Sequence, residues 1–401
     1  MVEVPQDVVG AEIPGGAPLD YRPVRPTRSA GDPRDAEEAA RLLVEAQSPV
    51  LYAGQGVMYA EATAELRELA ELLAAPVMTT MEGKGAFPED HALALGTAAI
   101  VLTGPAKHFL AASDVVLAIG ASLTRHNITT ATLPDGKRII HATNDPRDLH
   151  KAYATERAIL GDAKLVLRQL ADAVRDRLDG KARDARPVAQ EIARLRDAWL
   201  AEWRGKLGSA ERPITPYRVI AEFMRAVDPA EAIVTHDSGS PRDQIVPFYR
   251  AVAPRGYIGW GKSHALGTGL GLTIGAKLAA PEKFCVNFMG DAAFGMTGLD
   301  FETAVRVGAP ICTMVFNNAT MAIETGHMRL SHEKYRTRDI GGNYAGIARE
   351  LGGWSERVED PGEIAGAIRR ARRATEEGRA ALLEFVTGPE QAFSYRRAAA
   401  G

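Results

Sequence analysis

Cysteine is scarce: the 401 residues hold two, Cys285 and Cys312. Both lie inside apolar strand-like runs, KFCVNF and PICTMVF. That context points to buried free thiols in a reducing compartment, not to a disulfide or a metal pair. No His/Cys pair has zinc-ligand spacing. Long hydrophobic runs are lacking too. No stretch reaches the ~18 apolar residues of a membrane span. The opening MVEVPQDVVGAEIPGG has neither a basic leader nor an apolar signal core, so the expected location is the cytoplasm. An excess of one charge is also missing: a formal net charge of −3 gives no electrostatic case for nucleic acid or an anionic membrane as partner. What remains is a chain 46% apolar and 25% charged, the balance of a soluble globular protein, and long enough to call for two cores.

Residues 1–33 read as a strand end, Val2-Glu3-Val4, and a connector in which Pro14, Pro18, Pro23, Pro26 and Pro33 oppose helix. Asp32-Pro33 then opens a helix, with Asp32 as N-cap and proline at the first helical position. Across 34–178, the runs SPVLYAG, APVMTT, SDVVLAIG and KRIIHAT alternate with amphipathic stretches such as ATAELRELAELLA and GDAKLVLRQLADAVRDRL. Such alternation predicts parallel βα units with helices on both faces. Residues 179–212 carry Arg183, Arg186, Arg194, Arg196 and Arg204 among scattered apolar positions and read as a linker with a solvated helix, not a basic binding stripe. A second alternating block fills 213–401. It has a helix from Thr215-Pro216 to about Val227, then EAIVTHD, KFCVNFMGD, ICTMVFNN, LGGWSERVE and AALLEFVTG as strands. The expected fold class is α/β, with two doubly wound parallel-sheet domains.

The most informative stretch is FCVNFMGDAAFGMTGLDFETAVRVGAPICTMVFNNATMAIE, from Phe284 to Glu324. An apolar strand ends at Gly290-Asp291, placing an acid at the carboxyl edge of a parallel sheet, where ligands bind. Ala292, Ala293 and Gly295 keep the following turn free of bulk, so that backbone N–H groups can approach an anion. A helix from about Gly298 to Arg306 follows. A second strand, Ile311 to Phe316, then delivers Asn317-Asn318 to the same edge. One carboxylate, one amide oxygen and a nearby backbone carbonyl make a hard-oxygen set of the kind magnesium takes. Gly-Asp alone, or Asn-Asn alone, would be an ordinary surface turn. Here each ends an apolar strand, with room between them for a single crossover.

GDAAFG…NNATMAIE resembles the signature of thiamine-diphosphate enzymes. The resemblance implies that Asp291, Asn318 and the backbone oxygen of Thr320 bind Mg2+, which clamps the diphosphate of the cofactor. HDSGS at 236–240 resembles the family's Asp-x-Gly turn and marks Gly239 as a diphosphate contact, alongside Gly290, Ala292 and Ala293. ALGTGLGLTIGAKLAAP resembles the glycine-rich helix entry of acetolactate synthases and decarboxylases, and puts Leu266 where the family props the cofactor into its bent shape. Glu324 falls where pyruvate decarboxylase-like enzymes place a glutamate over the thiazolium, a position for proton relay if buried. PVLYAGQGV, PVMTTMEGKGAFPEDHALALG, SDVVLAIGAS and IIHATNDPRDLHK resemble the central domain of the acetolactate synthase group. The implied activity is that of a lyase or carboligase acting on 2-oxo acids, in an oligomer.

Other positions depart from that pattern. Ala292 and Ala293 replace Gly and Ser, and the resulting GDxAFGxxGxxxET is closer to oxalyl-CoA decarboxylases and 2-hydroxyacyl-CoA lyases, which makes a 2-hydroxyacyl substrate the second expectation. Ser240 and Pro241 stand where relatives often have Gln-His. VEVPQDV resembles the final strand of the family's N-terminal pyrimidine-binding domain, whose glutamate activates the cofactor. The chain is therefore expected to rely on a pyrimidine-binding-domain subunit or on an upstream segment, or else to be a non-catalytic binding subunit. Some relatives hold FAD or the ADP part of coenzyme A in the central domain. Here the ribose-contacting acid falls at Thr143, which argues against both, and Gly54-Gln55-Gly56 alone is weak support for a nicotinamide oxidoreductase. His236, His264 and His327 lie near motifs, although lone histidines are more often structural.

Overall fold

The computed structural model describes residues 3–12, 15, 22–24, 27–125, 128–259, 265–324 and 327–396. The apolar runs form two parallel six-stranded sheets. The first comprises β1 (Pro49–Ala53), β2 (Val77–Thr79), β3 (Ala94–Thr97), β4 (Val115–Ile119), β5 (Arg138–Thr143) and β6 (Arg157–Leu160), in the order β3-β2-β1-β4-β5-β6. The second comprises β7 (Ala232–His236), β8 (Tyr257–Ile258), β9 (Phe284–Gly290), β10 (Cys312–Asn317), β11 (Trp354–Val358) and β12 (Ala381–Val386), in the order β11-β12-β10-β9-β7-β8. Helices cover both faces, so the expectation of two doubly wound sheets holds. Every residue of β1, β4 and β7 is buried, which is why β1 and β4 carry continuous apolar sequence and not an alternating pattern, while β7 ends on the buried polar pair Thr235-His236.

The helix starts follow their capping residues. The Asp32 carboxylate accepts from the Arg34 N–H ahead of the helix Pro33–Glu45, and Asp162 accepts from the N–H groups of Lys164 and Leu165 ahead of Ala163–Arg177. Near the start of the chain, where extended backbone was expected, Gln6–Val9 forms one exposed helical turn behind Pro5, with Asp7 in that turn. Three strands were not expected: β3, β6 and β8. Each lies at a sheet edge and is short, and β6 (RAIL) has only Ile159 buried, so its apolar signal is weak.

The helix Arg186–Leu207, expected to be solvated, buries Ile192 and Trp199. Trp199 stacks on Phe248 with ring centroids 4.9 Å apart, and its Nε1–H donates to Ser394 Oγ at 3.0 Å. The core on one face of the second sheet also takes in Met81, Ala99 and Val101 from the first half, so the two halves share buried surface. Cys285 and Cys312 are both buried free thiols, pushed up to about 11 and about 12 by burial. Among the described residues no helix is long and apolar enough to cross a membrane.

Candidate active site

In a doubly wound sheet, a crevice opens at the carboxyl edge where successive crossovers leave in opposite directions. The strand orders place this point between β1 and β4 in the first sheet, and between β7 and β9 in the second. The first crevice is closed by backbone. A Cβ on Gly54 would lie 2.2 Å from the Gly120 carbonyl oxygen, and one on Gly56 would lie 2.7 Å from Gly120 Cα. Close packing therefore accounts for Gly54-Gln55-Gly56. Thr143, at the end of β5, is buried and uses its hydroxyl to accept from the Asp145 N–H.

The second crevice is an open cavity of about 340 Å³. Gly239, Leu266, Gly290, Asp291, Ala292, Ala293, Asn318, Thr320 and Glu324 all line it. His327 lines it with an exposed side chain, and Ile128 reaches it from the first half. His236 is buried and does not line the cavity; His264 lies outside the described residues. Another cavity, of about 330 Å³, lies between the halves against Trp199 and Phe248 and takes none of the nine residues.

The turn after β7 is held by Asp237, which is fully buried. Its Oδ1 accepts from the N–H groups of Ser238 at 2.7 Å and Gly267 at 2.8 Å, and its Oδ2 from that of Gly269 at 3.0 Å. One side chain thereby fixes the end of β7 to the start of the helix Thr268–Ala279, so that Gly239 and Leu266 line the same cavity. Gly239 has φ +94° and ψ −154°, a region essentially confined to glycine.

At the end of β9 the backbone enters a helix at once, Asp291–Thr297, where a turn as far as Gly295 was expected; a second helix, Asp300–Arg306, follows. Ala292-Ala293 are good helix formers and leave the first turn free of bulk. A Cβ on Gly290 would meet only Pro241, at 3.8 Å, so glycine there keeps the cavity floor open. Asp291 is 2% exposed. Its Oδ1 accepts from the Ala292 N–H at 2.8 Å and its Oδ2 from the Ala319 N–H at 2.7 Å. Burial pushes its carboxyl up to about 6, against the downward pull of those N–H groups.

β10 pairs with β9 so that Phe316 faces Gly290, which brings the Asn-Asn turn out beside Asp291. The two asparagines divide the work. Asn317 Nδ2 donates to the buried Glu384 carboxylate at 2.7 Å and braces the turn. Asn318 lines the cavity, its Oδ1 accepting from the Thr320 N–H at 3.1 Å across Ala319, whose φ is +57°. Thr320 bridges Asp339 between the bonds Met321 N–H to Arg338 O and Ile340 N–H to Ala319 O, so its own carbonyl points away from that pairing. Glu324 closes the short 3-10 turn Ala322–Glu324 and is half-buried, not buried. Arg242 and Arg396 also line the cavity; no motif marks either of them.

Residues 36–170 match the family described as "Thiamine pyrophosphate enzyme, central domain", and residues 237–385 match "Thiamine pyrophosphate enzyme, C-terminal TPP binding domain". Sulfoacetaldehyde acetyltransferase of Castellaniella defragrans is 30% identical over 438 residues, covering 99% of this chain and 69% of that protein. The chain belongs to the thiamine pyrophosphate enzyme family. Other relatives include a probable acetolactate synthase large subunit of Methanococcus aeolicus, 28% identical over 98% of this chain and 67% of its own length. The acetolactate synthase large subunit of Corynebacterium glutamicum is 30% identical over 97% of this chain and 63% of its own length. This family member thus spans about two thirds of the length of such relatives. Benzoylformate decarboxylase from Polynucleobacter necessarius shares the fold, with a TM-score of 0.74 at 19% identity over 96% of this chain and 70% of that one.

The residues present suit the family's cofactor. The floor at Gly290 is a cradle that any side chain would fill, and Asp291 is a buried acid for which a cation would compensate. Among the described residues no three His, Cys, Asp or Glu side chains come together as a metal site. What this edge presents to the cavity is the Asp291 carboxylate, the Asn318 amide and backbone oxygens, hard donors of the kind magnesium takes.

Proposed function

We propose that this chain is the cofactor-binding component of a thiamine-diphosphate-dependent lyase or carboligase acting on 2-oxo acids, similar in kind to the acetolactate synthases. The observation that carries the reading is the convergence of Gly239, Leu266, Asp291, Asn318, Thr320 and Glu324 on one open switch-point crevice. In this reading Asp291, Asn318 and the Thr320 carbonyl hold Mg2+. Gly239 and the 290–293 backbone would take the diphosphate, Leu266 would set the cofactor's bend, and Glu324, half-buried at the cavity wall, is the side chain available for proton transfer. When bound, thiamine diphosphate supplies the nucleophilic carbon that makes loss of carbon dioxide from a 2-oxo acid feasible.

Residues 34–178 are then a central unit preceded by a connector, 179–212 a linker and 213–401 the diphosphate-binding unit, in a cytoplasmic protein. Asp291 and Glu324 are the carboxylates among the described cavity residues, and both already have roles. The acid that activates the pyrimidine ring is placed on a pyrimidine-binding unit outside these residues, carried by a partner subunit or by an upstream segment, within an oligomer. The Ala292-Ala293-Phe294-Gly295 pattern favours a second reading, a 2-hydroxyacyl-CoA lyase.

Calorimetric titration with thiamine diphosphate, with and without Mg2+, tests the first reading. Metal-dependent binding is expected, and Asp291→Ala should weaken it by roughly a hundredfold, since loss of supporting contacts alone costs ~10–100-fold. A titration curve unaltered by Asp291→Ala would remove the proposed metal site. Preference for a dinucleotide would favour the oxidoreductase reading.

A further inference from the structure

Two arginines reach the crevice from distant parts of the second half. Arg242 belongs to the helix Ser240–Phe248 and is 3% exposed; Arg396 follows β12. Both engage Asp243, which is fully buried. Arg242 Nε donates to Asp243 Oδ1 at 2.6 Å, and Arg396 Nε donates to Asp243 Oδ2 at 2.9 Å. Among the described residues, one carboxylate thus serves two guanidinium groups at the wall of the cavity. The terminal Nη groups of both arginines have no acceptor among the described residues. Arg242 is buried and already paired with Asp243, whereas Arg396 shares that carboxylate with 34% of its side chain exposed, so it can turn its remaining donors to an anion in the cavity. Beside these arginines the cavity presents Ile128, Leu266, Met321 and Ile323, an apolar surface suited to a short carbon chain.

We propose that Arg242 and Arg396, oriented by Asp243, are the receptor for the carboxylate of a small 2-oxo acid. The guanidinium fork matches a carboxylate with two parallel N–H donors, and a single Asp243 fixes both forks in place before the ligand arrives. The proposal rests on the reading of this cavity as the reaction site, but its test does not depend on turnover.

The probes are pyruvate and its uncharged ester methyl pyruvate. Their binding is followed by calorimetry on the full chain loaded with thiamine diphosphate and Mg2+, and again without them. The native chain should bind pyruvate more tightly than the ester. Arg396→Gln should weaken pyruvate roughly tenfold, the size of one charge-assisted hydrogen bond, while leaving the ester and the cofactor titration unchanged. Arg396→Lys should recover part of the loss, and melting curves of both variants report whether either is misfolded. The receptor is overturned if the native chain does not prefer pyruvate, if pyruvate and ester weaken together, or if cofactor affinity falls in step with pyruvate affinity, which would hand the arginines to the diphosphate. A native chain that prefers pyruvate yet binds no thiamine diphosphate would keep the receptor and sink the cofactor reading instead.

Discussion

At His236 the imidazole is fully buried at the end of β7, its Nδ1–H donated to the Asp237 carbonyl at 3.0 Å and its ring 5.7 Å from that of Tyr257. A carbonyl can only accept, so the Nδ1–H tautomer follows from the geometry. Burial drives the imidazole down to about 3. In the unfolded chain it would titrate near ~6.5, so below that pH the unfolded state binds a proton that the folded state refuses. The contribution to stability is complete above the unfolded value and is lost as pH falls toward the folded one, at ~1.4 kcal/mol per pH unit. By pH ~5 the loss from this residue should be about 2 kcal/mol. Denaturant unfolding of the native protein and of His236→Gln, each at pH ~7.5 and ~5, checks it. The variant should lose less stability by that amount, and equal losses would show that His236 is not held neutral.

Asp237 joins two elements through three backbone N–H groups: Ser238 on the β7 turn, and Gly267 and Gly269 at the helix Thr268–Ala279. Asp237→Asn keeps one acceptor oxygen but turns an NH2 toward a backbone donor. It should cost ~1–3 kcal/mol, the penalty of a buried donor left unsatisfied, and lower the melting temperature. Because Leu266 adjoins that helix start, cofactor affinity should fall as well; a normal titration in a destabilised variant would separate the clamp from the site. The elements themselves were unevenly legible in the sequence. β1, β4, β7, β9 and β10 announce themselves because strands buried on both faces need predominantly apolar sequence, whereas the edge strands β3, β6 and β8 do not. The nine cavity residues were readable because most follow strand ends and all lie in or beside short motifs, Leu266 at a helix start and Glu324 in the turn after Asn318. Arg396 was not, since its contact with Asp243 spans 153 positions and no local pattern encodes such a pair.

Over the whole molecule, the crevice depends on how the two halves are joined, since Ile128 enters it from the first half. A buried ion pair sits at that junction. Lys84 and Glu89 are 1% and 6% exposed, with Lys84 Nζ 2.6 and 2.7 Å from the two Glu89 oxygens. Glu89 also reaches across to the second half: its N–H donates to the Ala251 carbonyl, and its Oε2 accepts from the Ala251 N–H at 2.9 Å. Lys84 lies over the Tyr257 ring at 5.7 Å, on β8. Glu89→Gln leaves an ammonium in the interior without its counter-charge, and breaking one side of such a pair costs ~3–5 kcal/mol. Lys84→Met combined with Glu89→Gln removes both charges while the amide can still accept from Ala251, so much of that loss should return. If instead the double variant is as unstable as the single, the charge pair is not what holds this junction, and the packing of Met81, Ala99 and Val101 against the second sheet carries it. Should Glu89→Gln also divide a single unfolding transition into two, the pair would be what makes the halves unfold together, because the strands of each sheet come wholly from one half.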